Sequence, residues 1–432
     1  MREGGLTTDQ ADEFFFISSE GSKYFFFSIY FSHLFFNFNF ANFKIDTRLF
    51  FTGVSKKMAT NTTPLHIVTP LLHSSTMTQS LANTTSKTNA RVWVKLDCVQ
   101  PGGSFKIRGI GHLAQKAKSS GATKLCSSSG GNAGMATAYA ASVVGGMTAT
   151  VIVPTTTPAF ARKKIESLGA EVLVRGDVWD EADQHVKQMV QELGEDVACY
   201  VPPFEHPDIW EGHATMIDEI KVQLQGKVPA CIVVSVGGGG LLCGVLVGLQ
   251  RNGWESVPVI AVETQGAESF HVGMKAGKPV RLEGGITSIA KSLGATITSP
   301  NALSMSSEHP GKVISIVISD SAAVDACCQF ADDHRCMVEP ACGAALAGAA
   351  YDEEGVKDGV TKILKKAAAA AATAALDKKR ENGGEGGEGG GEGKEGNGGE
   401  EKDGVMHEVV VIACGGNIVT RAMLDEWSKK TK

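Results

Sequence analysis

The hydrophobic positions from about residue 64 onward follow two alternating patterns. Short, nearly continuous apolar runs rich in Val and Ile predict buried strands, and longer amphipathic or small-residue stretches predict helices between them. The predicted helices include 131–145, 178–194 and 239–252. The predicted strands are 91–96, 123–128, 148–154, 170–176, 197–202, 231–236, 257–263, 313–319 and 408–414. This alternation is typical of parallel sheets covered by helices, in which ligands bind beyond the carboxyl ends of the strands.

The chain has 432 residues, more than one hydrophobic core usually organises. The fold class we predict is α/β, with two domains that are each an open, mostly parallel sheet flanked by helices. A net charge of −6 argues against a nucleic-acid partner, because phosphate binding needs clustered Lys and Arg. The ten cysteines form no CxxC pair and no zinc-binding spacing, so we expect reduced thiols in a cytoplasmic protein.

Two stretches depart from the alternating pattern. Residues 14–51 are rich in Phe, and 24–43 carry no formal charge over about 20 residues, long enough in principle to cross a bilayer. Asn, Ser and His dilute this run, so we predict a poorly ordered extension over 1–60, with membrane anchoring or organelle targeting left open. Residues 365–404 combine an Ala run with Gly/Glu repeats that bury almost nothing, which predicts a disordered insertion.

A lysine, Lys106, follows Phe105 in the stretch "GGSFKIRGIG" (102–111), where a helical pattern begins. Burial would lower the pKa of this amine, and a neutral amine can act as a base or form a Schiff base with an aldehyde. An ordinary surface lysine is the alternative interpretation, although the dipole at a helix N-terminus disfavours a cation there.

Two further loops connect a predicted strand to a predicted helix and are suited to anions. Ser129, Gly130 and Asn132 precede a helix, where backbone N–H groups and hydroxyls can bind a carboxylate, or can form an ordinary cap and turn. The second loop consists of four consecutive glycines, Gly237, Gly238, Gly239 and Gly240. Its sequence matches neither GxGxxG nor GxxxxGK[ST], which disfavours dinucleotides and nucleoside triphosphates as ligands and favours a simple phosphate ester.

Cys414 ends the last predicted strand and is a candidate nucleophile, a partner for a ring nitrogen, or a small buried residue. No neighbouring His–Asp pair is apparent that would activate it as a nucleophile. An amine, a phosphate loop, a carboxylate loop and a neutral group at a strand end together match the contacts that pyridoxal 5′-phosphate requires.

The motifs that carry this chemistry resemble those of the L-serine/L-threonine dehydratases in the tryptophan synthase β-like family, which are fold type II enzymes. They are GSFKIRG (103–109), SSGGNAG (128–134), PPFEHPDIWEGHAT (202–215), SVGGGGLLCG (235–244), ITSIAKSLG (286–294), EPACGAAL (339–346) and CGGN (414–417). The resemblance runs from about Pro64 to the C-terminus, interrupted by the Gly/Glu insertion. It implies a large cofactor-binding domain from 64–100 and 203–432, a small domain at 101–202, and a homodimer.

The resemblance also implies a role for each candidate residue. Lys106 would hold pyridoxal phosphate and take the Cα proton, Phe105 would pack beside the ring, and Asn132 would bind the ring's 3-oxygen. Gly237 to Gly240 would cradle the phosphate. The substrate carboxylate would be bound by Ser129, Gly130 and Asn132.

Cys414 would face the ring nitrogen, where a thiol makes the cofactor a weaker electron sink than a carboxylate would and so favours prompt β-elimination. The racemase and tryptophan synthase branches generally carry Ser there. Gly130 departs from one branch that has Ala, and the lost methyl is expected to widen the site or to loosen substrate packing. The resemblance further implies a monovalent cation, K⁺ being the candidate, at Gly237, Glu263, Ala267, Ser269, Leu293 and Ala295.

The activity implied is the elimination of water from L-serine or L-threonine, which gives pyruvate or 2-oxobutanoate and ammonia. Two alternatives stay open from the sequence. One is another pyridoxal-phosphate lyase or a serine racemase on the same scaffold. The other is a catalytically weak paralogue that binds the cofactor, for which the N-terminal extension and the insertion are the motivation.

Overall fold

The computed structural model describes residues 63–84, 89–351, 360–366 and 406–430. The predicted extension at 1–60 and all but the first two residues of the insertion at 365–404 lie outside the described residues. The described residues all belong to one compact unit, Thr62–Lys432, so the domain boundaries near residues 100 and 202 stay a prediction. Within the described residues, no helix is both long and apolar enough to cross a membrane.

Ten strands form two separate sheets. The order is β1-β2-β10-β7-β8-β9 in the larger sheet and β5-β4-β3-β6 in the smaller. All pairings are parallel except β1 with β2. The strands are β1 (Leu71–His73), β2 (Ala90–Lys95), β3 (Lys124–Ser127), β4 (Thr148–Val153), β5 (Glu171–Val174), β6 (Ala198–Val201), β7 (Cys231–Ser235), β8 (Val259–Thr264), β9 (Val313–Ile318) and β10 (His407–Ile412).

All nine predicted strands are confirmed, and so is the α/β class with two mostly parallel sheets. Strand β1 was not predicted, because it has three residues of which two are exposed, so it presents no apolar run. β7 and β8 are buried along their whole length, as central strands covered on both faces must be.

Thirteen helices flank the sheets in the part of the chain that the structure describes. They are α1 (Ser75–Thr84), α2 (Lys106–Ser119), α3 (Asn132–Val144), α4 (Ala159–Ser167), α5 (Trp179–Leu193), α6 (Pro207–Gln223), α7 (Gly240–Arg251), α8 (Ser269–Ala276), α9 (Pro300–Glu308), α10 (Asp320–His334), α11 (Pro340–Leu346), α12 (360–366) and α13 (Arg421–Lys430). The three helices named from the sequence are confirmed to within one residue at each end. Each of the three begins after a strand, so its N-terminus lies at the carboxyl edge of a sheet.

A buried ionic network fixes the first turn of α2. Arg108 Nε lies 2.5 Å from Asp97 Oδ2, and Arg108 Nη1 lies 2.6 Å from Glu219 Oε1 on α6. Lys95 at the end of β2 completes the network, with Nζ 2.5 Å from Glu219 Oε2. Asp97, Arg108 and Lys95 are fully buried. Because Arg108 comes two residues after Lys106, this network also fixes the backbone that carries the candidate lysine.

Candidate active site

The loop that carries Lys106 pairs with the loop that carries Cys414. The Phe105 N–H donates to the carbonyl of Cys414 at 2.9 Å, and the Gly416 N–H donates to the carbonyl of Gly103 at 3.1 Å. Ser104 and Gly415 form an antiparallel bridge between these hydrogen bonds. Two residues that are more than 300 positions apart in the sequence, Lys106 and Cys414, therefore lie at one place in the fold.

The Lys106 amine is held at the N-terminus of α2. Its Nζ donates to the carbonyl of Pro203 at 2.5 Å and lies 5.1 Å from the centre of the Phe105 ring. Burial lowers the pKa of Lys106 to about 8, although nearby Cys414 and Glu339 raise it. A substantial fraction of the amine is therefore neutral in slightly alkaline solution, as a nucleophile or base requires.

The four glycines follow β7 and open α7, and protein neighbours fill the space that side chains would need. An ideal Cβ at Gly238 would lie 2.3 Å from the Phe204 ring, and one at Gly240 would lie 2.6 Å from the Phe204 carbonyl. Gly239 has φ of +101°, and its Cβ would lie 2.4 Å from Ala302. The glycines are thus needed for packing as well as for a ligand. Gly239 supplies no side-chain cap, so the first N–H groups of α7 are available to an anion.

The loop from Ser128 to Asn132 is anchored by a carboxylate that sequence reasoning missed. Asp183 on α5 is 4% exposed, and its Oδ1 accepts hydrogen bonds from Ser128 Oγ and from the Tyr200 hydroxyl, both at 2.7 Å. Lys187 Nζ lies 2.8 Å from the other oxygen of Asp183. Ser128 is thereby fixed directly before the predicted substrate-binding residues Ser129 and Gly130.

The space beside Gly130 is filled, which corrects the expectation that its missing methyl widens the site. An ideal Cβ at Gly130 would lie 2.6 Å from Cγ2 and 2.9 Å from Oγ1 of Thr157. Thr157 lies in the loop after β4, so the small residue at 130 is matched by a side chain from the neighbouring strand's loop. Sequence reasoning did not single out Thr157, since the two residues are far apart along the chain.

Asn132 at the start of α3 forms a pair with Glu339, a second residue that sequence reasoning missed. Asn132 Nδ2 donates to Glu339 Oε1 at 2.8 Å, and both side chains are more than nine-tenths buried. Asn132 Oδ1 is buried without a hydrogen-bond partner among the described residues. A buried polar atom without a partner is unfavourable, so this oxygen is available to a donor from a bound molecule.

Cys414 is 6% exposed, and its Sγ lies 3.4 Å from the hydroxyl of Ser235 at the end of β7. Ser235 comes two residues before the tetraglycine loop, which places the thiol beside that loop's strand. None of the described cysteines forms a disulfide. Cys414 therefore offers an uncharged polar group between the lysine loop and the glycine loop.

A chain of contacts links these residues, and their chemistry fits pyridoxal phosphate. The segment Pro203–Phe204 accepts the Lys106 hydrogen bond at its first residue and packs on the tetraglycine loop at its second. The lysine can react with an aldehyde, the N-terminus of α7 can bind a phosphate, and Cys414 offers a neutral polar group for a ring nitrogen. The unpartnered Asn132 Oδ1 adds a polar contact that is available to the ring.

The residues expected at a monovalent cation come from three stretches of the chain, around Gly237, Glu263 and Leu293. Glu263 at the end of β8 accepts hydrogen bonds from the N–H groups of Phe270 at 2.8 Å and His271 at 2.7 Å. The other two stretches touch each other, since an ideal Cβ at Gly237 would lie 3.0 Å from Cα of Leu293. The other three members of the set are Ala267, Ser269 and Ala295; Ala295 is held beside Leu293 by an N–H to O bond of 2.7 Å.

Two sheets of parallel strands with this lysine, glycine loop and thiol at their carboxyl edges define a pyridoxal-phosphate enzyme of fold type II. Residues 62–365 match the family described as "Pyridoxal-phosphate dependent enzyme", and the chain belongs to this family. The chain is 49% identical over 284 residues to an L-serine dehydratase/L-threonine deaminase of Bos taurus. The aligned region covers 66% of this chain and 83% of that protein.

Two other similarities point the same way. A human serine dehydratase-like protein is 46% identical over 284 residues, which cover 66% of this chain and 82% of the relative. The crystal structure of an L-serine ammonia-lyase from the fungus Rhizomucor miehei superposes with a TM-score of 0.65 and 31% identity. That similarity covers 85% of this chain and 99% of the fungal chain.

Proposed function

We propose that this protein is a pyridoxal-phosphate-dependent L-serine ammonia-lyase that also acts on L-threonine. It eliminates water from the amino acid, and hydrolysis of the released enamine then gives pyruvate from serine or 2-oxobutanoate from threonine, with ammonia. The observation that carries the proposal is that contacts link Lys106 to the start of α7 through Pro203–Phe204 and to the Cys414 loop through Phe105. The similarity to serine and threonine dehydratases supports the choice of substrate.

The bound cofactor withdraws electrons from the substrate and so makes the Cα proton removable. Lys106 is the group that takes this proton at Nζ, because burial lowers the pKa of its amine to about 8. The Pro203 carbonyl orients the amine, and Phe105 packs beside the cofactor ring. The first turn of α7, with Gly237 to Gly240, holds the phosphate.

The loop at the start of α3 binds the substrate carboxylate. Ser129 Oγ already accepts the Gly131 N–H at 3.3 Å, and no side chain caps the N-terminus of this helix. A carboxylate is stabilised at such a helix end by backbone N–H groups and by the helix dipole. Ser129, Gly130 and Asn132 therefore orient the amino acid with its β-hydroxyl left free to depart.

Cys414 favours elimination over racemisation. A thiol is an uncharged partner, so it does not hold a proton on the ring nitrogen as a carboxylate would. Charge that builds up at Cα is then less stabilised, and prompt loss of the β-hydroxyl is favoured. The hydrogen-bonding distance to Ser235 keeps the sulfur at the end of β7.

We further propose that a monovalent cation, K⁺ being the candidate, binds at Glu263 beside the phosphate loop. Two backbone N–H groups of α8 donate to this carboxylate. The buried Ser269 Oγ, on the same helix, has no hydrogen-bond partner among the described residues. Burial raises the pKa of Glu263 to about 8, although the N–H groups of Phe270 and His271 lower it. A bound cation would stabilise the ionised carboxylate that this environment otherwise disfavours.

The resemblance to dehydratases also leads us to propose a homodimer and a division into domains at 64–100 with 203–432 and at 101–202. The lack of disulfides among the described cysteines supports a cytoplasmic location, and the net charge of −6 argues against a nucleic-acid partner. Light scattering of the purified protein tests the dimer: a mass near that of one 45.4 kDa chain would contradict it.

The test of the activity compares Lys106→Ala with Lys118→Ala, a half-buried lysine in the last turn of the same helix. Purified protein loaded with pyridoxal phosphate is given L-serine or L-threonine, and keto acid, ammonia and D-serine are each measured. We expect Lys106→Ala to lose at least about 100-fold in keto-acid formation and to lose the visible absorption of lysine-bound cofactor. Lys118→Ala should keep both.

The same assay separates the alternatives. D-serine as the main product would identify a racemase. Visible absorption without any product from either amino acid would identify a weak cofactor-binding paralogue. Keto acid released by Lys106→Ala at the normal rate would overturn the assigned role of the lysine.

A further inference from the structure

The Glu339 carboxyl is a buried titratable group that the proposed reaction does not use. It precedes α11 and lies directly behind the loop that carries Cys414: its backbone N–H is 3.5 Å from the Gly415 carbonyl, and Gly416 packs against its side chain. The carboxyl therefore lies beside two candidate cofactor-binding residues, Asn132 and Cys414, and the Lys106 charge acts on it from α2.

The Glu339 carboxyl is hydrogen-bonded to the nitrogen of the Asn132 amide, while the oxygen of the same amide lacks a partner among the described residues. Glu339 Oε1 accepts from Asn132 Nδ2 at 2.8 Å, and Nδ2 is also 3.5 Å from Ser292 Oγ. Asn132 Oδ1 has no hydrogen-bond partner in the described part of the chain. The side that faces Glu339 is thus satisfied, and the side that faces away is available to a bound molecule.

The protonation state of the carboxyl decides which end of the amide can face it. An ionised carboxylate only accepts hydrogen bonds, so Nδ2 must point to Glu339 and Oδ1 away from it. A protonated carboxyl can donate to Oδ1, which lets the amide turn by about 180° and point its N–H groups away. The last torsion of an asparagine is broad and roughly two-fold, so the backbone of α3 need not move.

We propose that Glu339 is a positioning residue whose proton sets whether Asn132 offers an oxygen acceptor or an N–H donor to the 3-oxygen of the cofactor. This inference rests on the proposed function, because it takes Asn132 to be the contact of that oxygen. It adds a residue and a pH response that the elimination reaction by itself does not require.

The groups around Glu339 place this response near neutral pH. Burial raises the pKa of Glu339 to about 7, and Ser292, Asn132 and the Lys106 charge lower it from a still higher value. Lys106 faces it from α2, and Cys327 faces it from α10, where burial keeps the thiol protonated. The Gly415–Gly416 backbone adds no titratable group.

The direction of the response is unusual and therefore diagnostic. When pH rises through about 7, Glu339 ionises and Asn132 presents Oδ1, an acceptor that favours a protonated 3-oxygen. The new negative charge favours the same form. The fraction of cofactor with an ionised 3-oxygen, which absorbs in the visible, should then fall as pH rises. A 3-oxygen that titrated by itself would change in the opposite direction.

The experiment records absorption spectra of the cofactor-loaded protein without substrate, in small steps from about pH 6 to pH 8. Parent protein should lose visible absorption and gain near-ultraviolet absorption across this range. Glu339→Gln, which keeps the shape but cannot ionise, should give one spectrum at every pH. Glu211→Gln, an exposed glutamate on α6, serves as the matched control and should behave as the parent does.

Visible absorption that is constant or rises with pH in the parent would overturn the inference, as would an unchanged pH response in Glu339→Gln. Should that variant fail to bind cofactor, Asn132→Ala removes the amide and keeps the carboxyl. Its spectrum should then keep only the smaller pH response that the Glu339 charge itself causes, and a response as large as that of the parent would count against the inference. The spectra are recorded without substrate, so they test this inference separately from the activity. If the protein gave the predicted spectra but did not deaminate serine, only the proposed function would be refuted.

Discussion

Three buried side chains in and around the site share one physical feature. Burial disfavours the charged form of each, so the pKa of Lys106 falls to about 8 while those of Glu263 and Glu339 rise to about 8 and about 7. All three therefore change charge close to neutral pH. The sequence pattern identified Lys106 as a candidate and the family resemblance identified Glu263, but the shifts of their pKa values come from burial, which depends on the whole fold.

Glu263 gives a prediction at this scale. Because the pKa of its carboxyl is raised on folding, it contributes stability at low pH that is lost as pH rises from its ordinary value toward about 8. A bound monovalent cation would restore that stability where the carboxylate is ionised. We expect KCl to raise the melting temperature more at pH 8.5 than at pH 6. At a K⁺ concentration of 100 times the Kd, the free energy of unfolding at pH 8.5 should rise by about 2.7 kcal/mol.

Tetramethylammonium chloride at the same ionic strength is the control salt, since this cation is too large for the site. Glu263→Gln should lose the difference between the two salts, and the exposed Glu255→Gln should keep it. Equal melting temperatures in both salts at pH 8.5, measured on parent protein, would rule out the cation site.

At the scale of elements, the site is built from loops that follow parallel strands, and other elements hold these loops in place. Asp183 on α5 and Tyr200 on β6 anchor Ser128 at the end of β3. Phe204 similarly packs on the loop between β7 and α7. The sequence showed the glycine-rich loops because their composition is unusual, but it gave no sign of these anchors, which look like ordinary residues of a helix, a strand and a loop.

Asp183→Asn tests the anchor of the substrate loop. The amide keeps the shape, but the acceptor becomes uncharged, and hydrogen bonds to charged groups are each worth about 1.5 to 3 kcal/mol. A less fixed loop weakens carboxylate binding, so we expect KM for L-serine to rise roughly tenfold, about 1.4 kcal/mol, with a smaller change in kcat. Steady-state kinetics measure both.

Asp180→Asn, on the same helix and exposed, is the matched control and should leave both constants unchanged. A loss confined to kcat, or normal kinetics in Asp183→Asn, would show that this carboxylate does not position the loop.

At the scale of the whole molecule, a buried network joins elements that are distant in sequence. Lys95 ends β2 of the larger sheet, Arg108 belongs to the first turn of α2, and Glu219 lies on α6. Burial alone would raise the pKa of Glu219, but hydrogen bonds and charge from Arg108 and Lys95 lower it overall. Its stabilisation is therefore present near neutral pH and is lost as pH falls through the lowered pKa.

Glu219→Gln leaves two buried cations without their shared counter-charge. Removing one partner of a buried ion pair typically costs about 3 to 5 kcal/mol, so we expect a marked fall in melting temperature at pH 7. Glu211→Gln on the same helix removes only an exposed ion pair with Arg251 and should change little. Thermal unfolding followed by circular dichroism compares the two. Equal stability of both variants would mean that the buried ionic network does not stabilise the fold.

The fold was largely predictable because strand and helix patterns are local. Nine strands have apolar runs that are recognisable in the sequence, whereas β1 has three residues and no such run. The site was predictable as far as its residues stand in glycine-rich loops, such as Lys106 and Cys414. Glu339 could not be assigned a role in this way, because its partner Asn132 is 207 positions away in the chain.

The sequence by itself determined the alternation of strands and helices, the loops suited to an amine, a phosphate and a carboxylate, and through them the class of cofactor. Only the tertiary structure decided that Thr157 fills the space beside Gly130, that Asp183 holds the substrate loop and that Glu339 faces Asn132. The reason is physical: local patterns set backbone conformation, whereas burial and hydrogen bonds between distant segments set the pKa and the orientation of side chains.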